Sequence, residues 1–291
     1  MWDKPLFIIG NPRSGTSMLR LMLSAHSKIM IAPESGFLMW WYNKYKHWNK
    51  DWNNSMLNEF IIDLFNSRRF EFWSMSKEDL KAFILKHQPS DYAYLNYLIY
   101  LKYAINMNNP DIKIWGDKNN HYLSHIAELN VLYPNARFLH IVRDGRDVAT
   151  SYKKLFKIKN KVRLAPNLPA DISVVAKQWS NNIQTICESL KKLPQNRVAQ
   201  VRYEDLVLNP ITNLKVICQF LNLEFEPIML TFHEYNKDKD LEPQDYLAWK
   251  AETFEKLNSN AIERYKKDLI EKEIKLFEFI AKSELQLFNY M

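Results

Sequence analysis

Pro5-Leu6-Phe7-Ile8-Ile9-Gly10-Asn11-Pro12-Arg13-Ser14-Gly15-Thr16-Ser17-Met18-Leu19-Arg20-Leu21-Met22-Leu23 is the stretch from which the rest of the chain can be read. Its apolar start has the length and composition of a buried strand, two glycines bound a short polar loop, and Met18 to Leu23 continue with helical apolar spacing. Strand, loop and helix in this order make a holder for phosphate or sulfate. The strand fixes the loop, glycine lets the backbone approach a ligand, and the helix presents unpaired N–H groups and the positive end of its dipole. Gly10 and Gly15 have the spacing of the nucleotide-triphosphatase loop, but Thr16 stands where that loop has its lysine. Cationic help must then come from inside the loop, where Arg13 is the candidate.

Outward from this loop, Ile29-Met30-Ile31-Ala32 is a short strand candidate followed by Pro33-Glu34. Glu34 thus falls just past a strand end, where open α/β sheets bind ligands. It fits equally a carboxylate at the start of the helical run Phe37 to Tyr42. Asp111 to Trp115 reads as a strand leading into Gly116-Asp117-Lys118, so that Lys118 either meets an anion beyond the strand end or sits in a surface turn. Tyr122 to Leu132 follows as an amphipathic helix.

A second strong pattern is Ala136-Arg137-Phe138-Leu139-His140-Ile141-Val142-Arg143-Asp144-Gly145-Arg146-Asp147, a buried strand ending at Arg143, then a turn and a helix carrying Ser151. If that helix runs back beside the strand, planar arginine donors and a serine hydroxyl converge, which suits a phosphate monoester. Alone, Arg143-Asp144 and Arg146-Asp147 would read as exposed ion pairs. Asp171 to Leu193 is a long helix, Arg197 to Arg202 another strand with Tyr203 at its end, and Asn209-Pro210 opens a helix through Phe220. Lys250, Lys256 and Ser259 lie in a polar stretch that reads as a surface loop, with Lys256 a candidate nucleotide contact. Ala261 to Phe288 reads as one or two ordinary surface helices.

The composition of the 291 residues, 47% hydrophobic and 14% aromatic, excludes a disordered chain. From about Phe37 to Asn109 the sequence is helical and aromatic-rich, which fits either a cap whose aromatic faces bind an acceptor or plain helix packing. The formal charge of +7 suits an anionic ligand, and no basic run exceeds a Lys-Lys pair, so no nucleic-acid partner is expected. Cys187 and Cys218 sit in apolar helical patterns and read as buried thiols of a reducing compartment, with no zinc site. No stretch has the roughly 18 apolar residues of a membrane span. The expectation is a cytoplasmic protein.

Pro-Arg-Ser-Gly-Thr followed by Leu-Arg-x-Met-Leu-x-Ala-His resembles the sulfotransferases that use 3′-phosphoadenosine 5′-phosphosulfate (PAPS), and is closest to their tyrosylprotein and bacterial branches. The likeness covers roughly Pro5 to Glu34 and Gly116 to Leu223, leaving out the aromatic segment. It implies an α/β domain over residues 1–291, with a mostly parallel sheet, helices on both faces and a helical insertion at about 37–110. It also implies a PAPS co-substrate, no metal, and a hydroxyl or amine acceptor.

By the same resemblance, Pro12, Arg13, Ser14, Gly15, Thr16 and Ser17 hold the 5′-phosphosulfate, while Arg13 and Lys118 stabilise charge on the transferring group. Arg143 and Ser151 hold the 3′-phosphate, Tyr203 sits by the adenine, and Glu34 is the base. That base is expected to have a raised pKa beside an anionic donor. Lys118 is followed by Asn119-Asn120 instead of the family's Asp-Pro or Thr-Pro, which affects the local turn. The cytosolic branch uses a histidine two residues after its lysine; His121 lies one residue further and is the second candidate for the base. Known tyrosylprotein enzymes are membrane-anchored Golgi proteins with disulfides, so the acceptor expected here is a small molecule, sugar or lipid headgroup. A P-loop-type kinase of a small molecule and a non-catalytic nucleotide-binding module are the alternatives.

Overall fold

The structure is a computed structural model and describes residues 2–158, 166–239, 241–242 and 247–291. Its centre is a five-stranded parallel sheet of order β2-β3-β1-β4-β5. The strands are β1 (Leu6–Ile9), β2 (Ile29–Ile31), β3 (Ile114–Lys118), β4 (Arg137–Val142) and β5 (Val198–Arg202). Strand β1 lies between β3 and β4, pairing Leu6 with Gly116 on one side and with Arg137 on the other. The chain therefore leaves β1 at the point where strand order reverses, which opens a crevice beyond the strand ends.

Alternation along the strands sorts their side chains onto two faces. Phe7, Ile9, Trp115 and Phe138 pack with the helices of residues 37–106, and Leu6, Ile8, Ile114, Leu139 and Ile141 pack with the helix Thr16–Ser24 and with residues 201–261. Each such fully buried side chain contributes on the order of 1.5–3 kcal/mol. The sheet is thus covered on both faces, as its continuous apolar runs require.

Several boundaries differ from the sequence reading. Strand β3 begins three residues later than Asp111 and ends on Lys118, so the lysine is the last strand residue. The reason is Gly116, where an added Cβ would sit 2.5 Å from the Leu6 carbonyl oxygen, an approach only glycine permits. The helix expected from Tyr122 divides into a 3₁₀ turn, Asn120–Ser124, and a helix, Ile126–Leu132. The C-terminal segment is less superficial than its charge suggests, burying Phe277, Leu285 and Phe288 in the cluster that holds Trp179. Arg146 and Asp144 form a buried ion pair of 2.7 Å, with Glu278 2.5 Å from the same guanidinium. Cys218 is buried as expected, but Cys187 is only half-buried.

Much of the aromatic segment is core, although Trp40 is exposed. Phe37, Phe70, Trp73 and Tyr100 pack ring on ring, with centroids 5.1–5.8 Å apart, and join the sheet face through Trp115. None of its rings lines the cavity described below, so an aromatic acceptor face is replaced by plain helix packing.

Candidate active site

The loop after β1 is shaped by two residues in the left-handed region, Gly15 at φ 90° and Arg13 at φ 71°. A Cβ on Gly15 would stand 2.5 Å from the Tyr203 ring, so glycine is demanded by both backbone and space. Asn11 anchors the loop, donating to the Pro12 carbonyl at 2.8 Å and accepting from Asn182 at 2.7 Å. The helix Thr16–Ser24 then starts without a side-chain cap, leaving its leading N–H groups at the crevice.

Around this loop is a cavity of about 280 Å³, lined by Pro12, Arg13, Gly15, Thr16 and Ser17 and by Glu34, Lys118, Arg143, Tyr203 and Lys256. Stretches far apart in sequence thus meet at one place. Ser14 is buried behind the loop and does not line the cavity. Ser151 does not line it either; its hydroxyl accepts from Arg13 Nε at 2.9 Å. The helix Gly145–Ile158 does bring Ser151 back to the loop, but to a side chain of that loop.

Glu34 is the centre of charge. Lys118 Nζ lies 2.8 Å from its Oε2, Arg69 Nη1 3.0 Å from its Oε1 and Lys250 Nζ 3.7 Å from Oε2. Burial alone would raise the Glu34 pKa, but Lys118, Lys250 and Arg69 outweigh it and hold the carboxyl far below the ordinary range. That reverses the raised pKa expected from sequence, because the cations supplied by the fold could not be placed beforehand. Lys118, 1% exposed, also donates to Ser17 Oγ at 3.2 Å. One ammonium therefore spans the start of the loop helix and the carboxylate.

Behind Lys118, the alternation of β3 turns Asp117 to the aromatic face, where it accepts from Tyr122 at 2.5 Å and from Tyr100. Burial pushes its pKa up to about 6 against both hydrogen bonds. This carboxyl fastens the end of β3 from beneath.

On the other side of the loop, the Arg143 guanidinium lies over the Tyr203 ring at 4.3 Å. It donates to the Ala261 carbonyl at 2.6 Å and to the Arg13 carbonyl at 3.2 Å, while its buried Nε has no partner among the described residues. Arg143 thereby joins β4, the loop and the C-terminal segment, and its Nε is not used by those bonds.

His121 is placed differently from the other candidates. It is exposed, its ring is 4.3 Å from that of His125, and it does not line the cavity. Although the residue is exposed overall, partial desolvation of its ring, and then the neighbouring His125, lower its pKa.

The sequence reading missed Arg69, Trp249 and Lys250, all of which line the cavity. Arg69 sits at φ 71° before the turn Phe70–Trp73, inside the aromatic segment, where the basic pair Arg68-Arg69 was the only signal. Lys250 lies in a stretch whose polarity reads as a surface loop, yet it is 5% exposed and pairs with the buried Glu242. The isolated lysine beside Trp249 carried no motif.

Against known proteins, residues 5–227 match the family model described as "Sulfotransferase family". The chain belongs to the sulfotransferase family. It is a sulfotransferase enzyme, which removes the kinase and the non-catalytic module as alternatives. It is 24% identical over 249 residues to a putative protein-tyrosine sulfotransferase of Caenorhabditis briggsae, covering 85% of this chain and 76% of that protein. It is 27% identical to the Drosophila melanogaster protein-tyrosine sulfotransferase, covering 80% of this chain and 41% of the relative. With human protein-tyrosine sulfotransferase 1 it shares 26% identity, covering 80% of this chain and 55% of the relative. The match to these last two therefore spans about half of their length or less.

The fold agrees with a sulfotransferase domain from the curacin biosynthetic pathway, at TM-score 0.59 and 21% identity over 95% of this chain and 96% of that one. A mouse sulfotransferase solved in complex with PAP aligns at TM-score 0.54 and 14% identity, over 98% of this chain and 85% of the other.

These relatives correct the expected location. No described helix is long and apolar enough to cross a membrane. The sulfotransferase is nevertheless related to the protein-tyrosine enzymes, the branch whose known members are membrane-anchored in the Golgi, and the cytoplasmic placement is withdrawn.

Proposed function

We propose that this sulfotransferase moves a sulfuryl group from PAPS to a hydroxyl or amine acceptor, with Glu34 taking the acceptor's proton. The observation that carries the reading is the position of Lys118, bonded at once to Ser17 on the loop helix and to Glu34. Charge stabilisation and proton removal are thereby within reach of one another.

The residues present fit the donor. The uncapped helix and the Gly15 cradle suit a 5′-phosphosulfate at Arg13 to Ser17, and the partnerless Arg143 Nε suits a 3′-phosphate, with Lys256 beside it and Tyr203 on the adenine side. Ser151 enters this scheme through Arg13, whose guanidinium it orients. PAPS, when bound, supplies a sulfuryl group already activated on a phosphate leaving group.

The chain's own contribution is positioning and electrostatics. Lys118 and Arg13 neutralise charge gathering on the sulfuryl oxygens. Glu34 receives the proton at a carboxylate oxygen, and its basicity rises as Lys118 turns from it to the incoming anion, because losing an adjacent cation favours the protonated form. The low pKa of Glu34 thus belongs to the ligand-free arrangement. For the acceptor, the names of the relatives favour the phenol of a protein tyrosine, beside the small-molecule, sugar or lipid hydroxyl expected from sequence.

The test is Glu34→Gln, which keeps shape and removes basicity. Turnover should fall by roughly 10²–10⁴. Affinity for adenosine 3′,5′-bisphosphate (PAP) should hold or improve, since Lys118 loses its competing carboxylate. Near-normal turnover, with loss instead in His121→Ala, would assign the base to His121.

A further inference from the structure

Lys118 cannot hold Glu34 and an incoming anion equally well; Arg69 stays on Oε1 at 3.0 Å, but Oε2, the oxygen that Lys118 leaves, needs another cation during transfer. Lys250 is built for this. Its Nζ is 3.7 Å from Glu34 Oε2 and is bonded from behind by Glu242. Glu242 is gripped in turn by Arg20 Nη2 at 2.5 Å, and Arg20 donates to the carbonyls of Leu241 at 2.8 Å and Ile31 at 3.2 Å. Arg20 lies on the helix that starts at the loop, and Ile31 ends β2, three residues before Glu34. A line of alternating charge, Arg20, Glu242, Lys250 and Glu34, therefore runs through the interior to the cavity.

Such a line is poorly explained by stability alone. Burying paired charges costs desolvation that their attraction barely offsets, and apolar residues of the same volume often serve as well. The line here ends on a single carboxylate at the cavity wall. Burial lowers the Lys250 pKa to about 8 against the pull of Glu242, whereas in Glu242 burial is outweighed by Lys250 and Arg20, leaving its pKa at about 2. Glu242, with Glu34 second, thus favours the ammonium form of Lys250.

We propose that Lys250 is a positioning residue for the reaction, its Glu242-braced ammonium keeping the Glu34 carboxylate in place and ionised when Lys118 turns to the donor. This rests on Glu34 as proton acceptor. Among the described residues, the charged groups facing Glu34 are Lys118 from β3, Arg69 from the segment before Phe70, and Lys250. Those facing Lys250 include Glu242, Glu34 and Lys118, with the Trp249 ring 4.9 Å from its ammonium.

The experiment follows the Glu34 carboxyl by carbon-13 NMR in the full chain labelled at glutamate, saturated with PAP plus inorganic sulfate and titrated from about pH 8 down to the lowest pH at which the chain stays folded; a wild-type carboxyl still ionised at that limit counts as a midpoint below it, and Lys250→Met must then show a midpoint above it. The signal is assigned by its loss in Glu34→Gln. In Lys250→Met, which keeps length and apolar bulk, the midpoint should rise by about 1–3 pH units, and in Lys250→Arg it should return to the wild-type value. Midpoints for Lys250→Met and wild type within about 0.3 unit would overturn the proposal. Should Lys250→Met fail to fold, Glu242→Gln removes the brace and is read in the same way, with a smaller rise expected. Near-normal turnover by Glu34→Gln is a separate result; it would remove the proton-acceptor reading and this proposal with it, whatever the titration shows.

Discussion

Replacing Arg143 by alanine separates the two ends of the nucleotide. The side chain is 3% exposed, lies over Tyr203 and has a buried Nε without a partner among the described residues, so an anion meeting it is largely desolvated. Truncating one member of such a charged contact costs about 2–4 kcal/mol, or roughly 30–900-fold in affinity. The same guanidinium also ties the Arg13 and Ala261 carbonyls, so a loss of stability accompanies the change and absolute affinities would mix two effects. The assay is therefore a pair of calorimetric titrations, PAP against AMP, on Arg143→Ala and wild type. The loss should appear for PAP and stay within about threefold for AMP, which lacks the 3′-phosphate. Equal losses for both nucleotides would refute the placement of the 3′-phosphate at Arg143.

Three further outcomes follow from the geometry. Ser151→Ala should weaken PAP and AMP alike by about 1 kcal/mol in the same titrations, since the hydroxyl orients Arg13; an effect on PAP alone would return Ser151 to the 3′-phosphate. Gly15→Ala should cost about 1–3 kcal/mol of stability in thermal melts and abolish PAP binding, because a Cβ at φ 90° strikes the Tyr203 ring; an unchanged melt would mean that the loop takes another path. His140 is buried, and burial lowers its pKa to about 4, so the unfolded chain takes up a proton between about pH 6.5 and pH 4 that the folded chain refuses. Its contribution is therefore retained above pH 6.5 and lost as pH falls through that window, and His140→Gln should flatten the fall in melting temperature; parallel curves for the two proteins would contradict this.

Much of the site was legible because its parts coincide with local patterns. Gly10 to Ser17 announces itself through glycine spacing after an apolar strand, and Glu34, Lys118, Arg143 and Tyr203 follow or end strands, where a parallel sheet gathers its loops. Lys118 was displaced by three residues of strand only because Gly116 allows β3 to continue against Leu6. What could not be read was what tertiary structure alone brings in. Arg69 arrives from an aromatic helical segment and Lys250 from a polar one, and neither carries a spacing that points to an anion. Missing them reversed the expected pKa of Glu34, since that value is set by cations from three separate parts of the chain. The aromatic segment left two readings open from sequence, a binding cap or helix packing, and the second holds for the rings that cover Phe7, Trp115 and Phe138 on the sheet.

Sulfur-35 transfer from labelled PAPS tests the central claim most directly. The purified chain would be incubated with a panel containing a tyrosine peptide, a phenol, a sugar and a lipid headgroup alcohol, with and without a metal chelator. Label should move to a hydroxyl member of the panel, unaffected by chelator, and the transfer should be lost in Lys118→Ala. Label remaining in PAPS across the panel, in a protein that also fails to bind PAP by calorimetry, would contradict the account.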